Sequence, residues 1–317
     1  MGRGSLARFL LGRLVGLVVT LLVASVIIYG ALFLAPGDPA TLLSGGHGTP
    51  SLLAAINREY HLSDPFPVRF WYWLVGLLHG NFGTSFTYRQ SVGSLLISRA
   101  EPTLFLIVYA SILILTVGIG LGICAGLTGR LGSAITFVTS VGLGTPSFVA
   151  AIGLVTLFAV KLRWFPVFGS GSGFFDQLWH LTLPAVALAL SWTAFVAQLT
   201  KAAVRQELDS EHVDTARSRG LRHTLVVRRH VVRNAMIPIT TVSGLTVAGL
   251  VAGDVVVEQA FGIGGIGSFL VQAVTDKDFA VVQEISLLMV AIFVIVNSGV
   301  DVINGLLDPR IRQTHSA

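Results

Sequence analysis

The sequence predicts an all-α polytopic membrane protein with six membrane-spanning helices. More than half of the residues are hydrophobic (53%), only 12% are charged, and the mean hydropathy is +0.78. The hydrophobic residues are concentrated in long uncharged runs that have the length of a membrane-spanning helix. This composition excludes a soluble globular protein.

The uncharged runs predict the spans in chain order. The first run follows a short basic segment, is too long for the apolar part of a signal peptide and precedes no small-x-small cleavage site, so we expect a retained span. The fifth run is continued outward by Val255 to Glu258. The predicted spans are residues 14–35, 102–129, 131–160, about 183–200, about 236–253 and about 281–307.

The distribution of Lys and Arg predicts the orientation in the membrane. Twice as many lie in the N-terminus, at Arg130, between Lys201 and Arg233 and in the C-terminal tail as in the three outer segments. Because cytoplasmic segments are enriched in Lys and Arg, we expect both termini and the long basic loop to be cytoplasmic. The predicted divisions are a cytoplasmic N-terminus with the first span (1–35), an extracytoplasmic segment (36–101), a membrane core (102–307) that includes the cytoplasmic loop 204–236, and a cytoplasmic tail (308–317).

Small and aromatic residues predict further features of these segments. Gly118, Gly122 and Gly126 recur at four-residue spacing, as do Gly249 and Gly253, and small residues on one helix face allow close helix contact. Three aromatic residues of the first outer segment are predicted to form an interfacial belt: Trp71, Tyr72 and Trp73. In the third span, Thr145-Pro146-Ser147-Phe148 predicts a break, which serves either as a kink or as part of a transport pathway.

The cytoplasmic loop carries the most specific pattern. Leu208 to Arg219 has acidic residues early and arginines late, as a helix favours, and Gly220 can end that helix in the left-handed conformation. A second, basic amphipathic helix is predicted to start near Thr224. From charge alone, the loop could equally be an ordinary basic cytoplasmic loop.

The order of residues resembles the EAA loop of ABC importer permeases, in the form found in the dipeptide and oligopeptide branch. The resemblance is carried by Asp214-Thr215-Ala216, Gly220, Arg229-His230, Arg233-Asn234-Ala235 and Pro238. It extends to Pro36-Gly37-Asp38-Pro39, to Phe261 through Gly267 and to Asp308-Pro309-Arg310. Asp214 replaces the usual Glu, and His212 stands where this branch often has an aromatic residue.

The resemblance implies a type I importer permease fold and a complex in which other subunits bind ATP and capture the substrate. This chain would pair with a second homologous permease, two cytoplasmic ATPases that bind ATP and Mg²⁺, and an extracytoplasmic solute-binding protein in a bacterial inner membrane. The loop would be the coupling helix, with Asp214 making a polar contact and Ala216 and Gly220 permitting close approach to the ATPase. The full set of coupling residues implied is Leu208, Glu211, Asp214, Thr215, Ala216, Gly220 and Leu221.

Several motifs for other functions are set aside. Residues 262–267 match the dinucleotide fingerprint GxGxxG, but they follow a membrane span and are predicted to face outward. The sequence has no Walker A motif, no paired His spacing for a metal and no Ser, His and acid pattern for a triad, and we expect neither a cofactor nor catalysis in this chain. Arginines flank apolar runs, so we expect no nucleic-acid binding, and Cys124 alone cannot form an intrachain disulfide.

Acidic residues in the spans are the remaining candidates. Asp254 and Glu258 lie one turn apart near the outer end of the fifth span. They are either solvated at the outer interface or, with Pro146 and Ser147, part of a pathway in which they meet a cationic group of the substrate. Asp301 is predicted to pair with an inner arginine or to cap the last span.

Two other functions are weighed against an importer permease. An ion-driven transporter would need ionisable residues near the membrane midplane, and the first four predicted spans have none. A membrane scaffold would leave the pattern of the cytoplasmic loop without a purpose. The resemblance implies peptides as substrates, and it also allows nickel complexes, oligosaccharides, haem and glutathione.

Overall fold

The computed structural model describes residues 3–34, 40–41, 49–59 and 63–307, and all regular elements in these ranges are helices. The predicted motifs at Pro36-Gly37-Asp38-Pro39 and Asp308-Pro309-Arg310 lie outside the described residues. The helices are α1 (Arg3–Phe33), α2 (Pro50–Glu59), α3 (Phe66–Leu78), α4 (Val92–Leu127), α5 (Arg130–Leu143), α6 (Ser147–Leu154), α7 (Phe174–His180), α8 (Thr182–Leu208), α9 (Glu211–Ser218), α10 (His223–Val226), α11 (Arg233–Phe261), α12 (Ile266–Thr275) and α13 (Phe279–Leu307). Two π-helical segments, Val155–Lys161 and Val227–Val232, continue α6 and join α10 to α11.

Within the described ranges, five helical segments are long and apolar enough to cross a membrane: Leu10–Phe33, Val92–Leu127, Thr182–Leu208, His223–Val251 and Phe279–Asn304. The predicted third span is broken, because α5 and the helix that begins at Ser147 are bent by 97°. A second bend of 85° separates Gly253–Phe261 from α12.

The helix that carries the second span is longer than the uncharged run. It begins at Val92, ten residues before that run, so the last part of the predicted outer segment is helical. Pro102 lies within this helix. A proline interrupts the backbone hydrogen bonds of a helix without always ending it when neighbouring helices support the chain.

The glycine stripe of α4 forms the contact with α8. A Cβ atom at Gly118 would lie 3.0 Å from the carbonyl oxygen of Thr193, and one at Gly126 would lie 2.6 Å from Val204 Cγ1. The backbones approach closely only because these positions lack side chains. The predicted small-residue contact is confirmed. Gly118 meets Thr193 and Gly126 meets Val204, which shows that the two helices run in the same direction.

The second pair of glycines serves a different purpose. A Cβ atom at Gly249 of α11 would lie 2.8 Å from the indole ring of Trp192 on α8, and Gly253 faces the same ring and Leu188 at longer distances. These glycines therefore accommodate a large side chain and do not bring two backbones together.

Polar contacts bring the first and last described helices together at one end of the bundle. Arg13 Nη1 of α1 lies 2.6 Å from Asp301 Oδ2 of α13, which confirms the predicted pairing of Asp301 with an arginine. Asn304 Nδ2 donates to Thr241 Oγ1 at 2.9 Å, and Thr241 lies near the start of α11, shortly after the loop that carries α9. The start of α1, the end of α13 and the start of α11 therefore share one end of the bundle.

The opposite end is closed by the segment before α4. Trp73 Nε1 donates to Glu284 Oε1 at 2.7 Å, and the Trp73 ring lies 5.2 Å from that of Tyr29. Asp278, which is buried, accepts hydrogen bonds from Ser85 and from the backbone of Thr87. Trp73 is half-buried, whereas Trp71 and Tyr72 are exposed, and the interfacial belt stays a prediction. Helical geometry turned one residue of the aromatic run inward.

Candidate functional site

The basic loop folds as a short helix followed by a glycine corner. α9 is shorter than predicted, because Leu208 ends α8 and the new helix begins at Glu211. Gly220 has a φ of +74°, its amide donates to Arg217 O at 2.9 Å, and the Leu221 amide donates to Ala216 O at 3.3 Å. This pair of bonds is the Schellman ending, which requires a left-handed residue and so favours glycine. The predicted glycine stop is confirmed.

The second half of the loop differs from the prediction. The chain resumes as a helix at His223, close to the expected start at Thr224, but it runs through the π-helical segment directly into α11. The basic segment is therefore the first part of the fifth span and is not a separate amphipathic helix. Only the short corner at residues 219–222 separates α9 from the helix that continues into α11.

One face of α9 packs on the membrane bundle. Val213 and Ala216, three residues apart, are 0% and 4% exposed. They join a cluster of apolar residues contributed by the end of α8, by α10, by the π-helical segment and by the start of α11: Ala203, Val204, Val226, Val231, Ala235 and Ile239. Leu208 packs against the same cluster. The prediction that Ala216 permits close approach to a partner ATPase is wrong, since its side chain already faces this chain.

The other face of α9 is open. Glu211, Asp214 and Thr215 are exposed, and Arg217 Nη1 lies 3.1 Å from Asp214 Oδ1 in a solvent-exposed ion pair. A Cβ atom at Gly220 would meet no atom within 4 Å, so this chain requires glycine there for its backbone angle and not for space. Leu221 is 38% exposed beside it. The exposed face therefore offers charged, hydroxyl and apolar groups to a partner.

Sequence reasoning missed a cluster of polar contacts around His212, where the loop meets α8 and α11. His212 Nε2 lies 3.0 Å from Asn234 Nδ2, 3.5 Å from Glu207 Oε2 and 3.5 Å from the backbone oxygen of His230. One imidazole thus contacts the end of α8, the π-helical segment and the start of α11. In the sequence, His212 was notable only for standing where an aromatic residue was expected. Residue spacing did not predict its contacts with Glu207 and Asn234.

The break in the third span lies at Gly144 to Pro146. Ser191 Oγ of α8 donates a hydrogen bond to the backbone oxygen of Thr145, so a neighbouring helix satisfies a carbonyl at the break. Pro146 is exposed and Ser147 is half-buried. The predicted interruption is confirmed, and its role in a pathway stays a prediction.

The acidic pair at the outer end of α11 is buried and not solvated. Asp254 and Glu258 are 1% and 0% exposed, which overturns the interfacial alternative. Glu258 accepts hydrogen bonds from Thr103 Oγ1 and from the Ser268 amide, the latter at 2.8 Å. Thr103 in turn accepts from the Ile266 amide at 2.8 Å. Glu258 and Thr103 therefore connect the first turn of α12 to α4. Among the described residues, neither carboxylate oxygen of Asp254 has a hydrogen-bond partner.

The glycine-rich segment that matched GxGxxG forms a turn before α12. Gly262 and Gly264 have φ values of +58° and +73°, and α12 begins at Ile266. A Cβ atom at Gly265 would overlap Glu258 and Thr103, so the turn and the carboxylate fit only with glycine there. Across the described residues, no three His, Cys, Asp or Glu side chains are grouped to hold a metal ion.

Two matches to protein families together extend over most of the chain. Residues 118–313 match the family described as "Binding-protein-dependent transport system inner membrane component". Residues 6–107 match the family described as its N-terminal part.

Curated relatives are similar over nearly their full length. The probable peptide ABC transporter permease protein y4tP of Sinorhizobium fredii is 35% identical over 309 residues, which covers 96% of this chain and 99% of the relative. The glutathione transport system permease protein GsiC of Salmonella typhimurium is 34% identical, with 96% and 98% covered.

Solved structures share the fold at low sequence identity. The inward-facing MetNI methionine ABC transporter superposes with a TM-score of 0.55 at 16% identity, covering 68% of this chain and 96% of the matched chain. An amino acid ABC transporter gives a TM-score of 0.52 at 20% identity, covering 68% and 94%.

Proposed function

Because the chain belongs to the family of inner-membrane components of binding-protein-dependent transport systems, we propose that it forms half of the translocation pathway of an ABC importer for di- or oligopeptides. The chain is a multi-pass permease subunit of such an importer, and it works with ATPase and binding-protein partners. Membership in this family argues against the ion-driven transporter and the scaffold. The proposal concerns its topology, its coupling surface, its partners and its substrate.

The proposed topology has six spans with both termini in the cytoplasm. Counting the bent pair of α5 and the following helix as one broken span gives six, with residues 36–101 outside. The Arg13–Asp301 ion pair and the Asn304–Thr241 hydrogen bond support it, because they join both ends of the chain to the side where the α9 loop enters α11. The excess of Lys and Arg on that side supports a cytoplasmic assignment.

The proposed coupling surface is the exposed face of α9, and the observation that carries it is the division of this helix into two faces. Val213 and Ala216 fix the helix to α8 and α11, while Glu211, Asp214 and Thr215 are exposed to a partner. A partner that moves this surface would move the two attached spans, which is what alternating access requires. We propose that two cytoplasmic ATPase subunits bind ATP and Mg²⁺. A second, homologous permease would form the other half of the pathway.

The proposed substrate class is peptide. One relative is named a probable peptide permease, and another is named for glutathione, which is itself a small peptide. Selection among peptides would be shared with the extracytoplasmic binding protein.

The proposal is tested by ATP hydrolysis of the reconstituted complex with and without peptide-loaded binding protein. The wild-type complex should be stimulated. Gly220→Val forces a β-branched residue into the left-handed region, so it should abolish stimulation while the complex still assembles. Ser218→Ala, at an exposed position of the same helix, is the control and should retain stimulation. A wild-type chain that binds no ATPase would overturn the proposal.

A further inference from the structure

Three polar pairs connect α5 and the break that follows it to α8, within otherwise apolar segments. Lys201 Nζ donates to Thr136 Oγ1 at 2.7 Å, and Gln198 Nε2 lies 3.2 Å from Ser140 Oγ. The third pair is the hydrogen bond from Ser191 to the backbone oxygen of Thr145 at the break. We call these three pairs the polar ladder.

The polar ladder follows a single line along the crevice between the two helices. Thr136 and Ser140 are four residues apart and therefore share a face of α5, while Ser191 and Gln198 are two turns apart on α8. The ladder begins at the break near Thr145 and descends toward Lys201, which lies two turns before the end of α8.

The side chains of the polar ladder are accessible in this chain. Ser140 is exposed, and Thr136, Gln198 and Lys201 are half-buried. The adjacent face of α5 is apolar, with Phe137 71% exposed and Val141 58% exposed. Because polar side chains facing hydrocarbon are costly, we expect the apolar face to meet lipid or protein and the polar ladder to meet water or a polar ligand.

Lys201 is a cation without an acidic partner. Within the described ranges, no carboxylate oxygen forms an ion pair with its Nζ, and the contact with the Thr136 hydroxyl leaves its positive charge uncompensated. A lysine at the inner end of a membrane-spanning segment either extends its charge into water or marks the path of a charged substrate. The hydrogen bond to Thr136 directs this lysine into the crevice with the other members of the ladder.

We propose that the polar ladder lines the inner half of the substrate pathway and that Lys201 binds the carboxylate of a peptide leaving toward the cytoplasm. The inference rests on the proposed function and adds to it a substrate-contacting surface and the chemical group recognised there. A peptide backbone could exchange hydrogen bonds with the hydroxyl and amide groups, and its terminal carboxylate would pair with the ammonium group.

Cysteine accessibility tests the location of the polar ladder. In a Cys124→Ala background, Ser140→Cys is introduced into the assembled complex in inside-out membrane vesicles, and labelling by a charged, membrane-impermeant thiol reagent is measured. Phe137→Cys and Val141→Cys, at the same depth on the apolar face, are the matched controls. Fast labelling at residue 140 with slow labelling at both controls is expected, and equal slow labelling at all three would overturn the proposal.

Protection by a small peptide tests the role of Lys201. Ala-Ala added from the cytoplasmic side should slow labelling of Ser140→Cys, whereas Ala-Ala amide, which lacks the carboxylate, should protect less. Lys201→Met should remove this difference, and Lys201→Arg should keep it. The positive charge of Lys201 should also attract anionic thiol reagents. The rate of labelling of Ser140→Cys by an anionic reagent, divided by the rate for a cationic reagent, should therefore fall about three- to tenfold in Lys201→Met. Equal protection by both peptides in the wild type, or an unchanged ratio in Lys201→Met, would overturn the assignment of the carboxylate.

Stimulation of ATP hydrolysis by the binding protein, measured on the same preparations, separates the two proposals. If the wild-type complex is stimulated but residue 140 is not labelled, the polar ladder is wrong and the coupling function stands. If stimulation is absent from the wild type, the proposed function itself fails.

Discussion

Replacing Gly122 with alanine perturbs the contact between α4 and α8 at its narrowest point. The added Cβ would lie 2.6 Å from the backbone oxygen of Ala197 and would overlap the Cβ atom of Thr200. A backbone carbonyl cannot rotate away as a flexible side chain can, so the helices must separate. Gly120 offers a matched control, because a Cβ atom there would meet nothing within 4 Å.

The expected magnitude follows from two opposing effects. Alanine is favoured over glycine in a helix interior by about 1 kcal/mol, and this gain applies at both positions. Overpacking costs about 1–3 kcal/mol, and the rigid obstacle at Gly122 places the cost near the upper value. Gly122→Ala should therefore lose about 2 kcal/mol of stability and Gly120→Ala should gain about 1 kcal/mol, a difference of roughly a hundredfold in the unfolding equilibrium constant.

The assay is unfolding of the purified chain in mixed micelles by increasing SDS, followed by circular dichroism. The comparison between the two alanine variants cancels the shared helix-propensity effect. If Gly122→Ala were as stable as Gly120→Ala, the close approach of α4 and α8 would be refuted.

Three further predictions concern the coupling loop and the outer end of the bundle. Ala216→Glu should place an unpaired charge in the apolar cluster, detach α9 and raise its sensitivity to protease, whereas Thr215→Glu on the exposed face should leave proteolysis unchanged. Glu258→Ala removes the acceptor for two hydrogen bonds and should destabilise the outer end of α11 by about 1–3 kcal/mol, measured as faster hydrogen exchange in the adjoining glycine-rich turn. Trp73→Phe keeps an aromatic ring but removes the donor to the buried Glu284, and should lower stability by about 1–3 kcal/mol in SDS unfolding, with Trp71→Phe as the exposed control.

Much of the helical layout could be predicted because the relevant signals are local. The length of uncharged runs is set by the thickness of the bilayer, and a break at Pro146 follows from the missing amide of proline. Gly220 was identified correctly because only a residue free to adopt positive φ ends a helix in this way. The uncharged run did not show where α4 begins, because Pro102 carries the same local signal whether or not neighbouring helices support the chain.

The candidate site was predicted only in outline. Sequence spacing identified α9 but not which of its faces is free, and Ala216 was assigned to a partner although it packs on this chain. The role of Glu258 could not be found from sequence, since its partners Thr103 and Ser268 lie on different helices. The same holds for the polar ladder, because Lys201 and Thr136 are 65 residues apart in sequence.

The sequence by itself determined that this protein is a helical membrane protein with a short helix and a glycine corner in its basic loop. These properties depend on hydrophobic runs, on proline and glycine geometry and on the distribution of charge, which act over a few residues or a single span. Only the tertiary structure decided which polar groups are buried, which are paired and which are open to a ligand. Burial and pairing depend on which helices meet, so Asp254 and Glu258, one turn apart in sequence, have different surroundings in the fold.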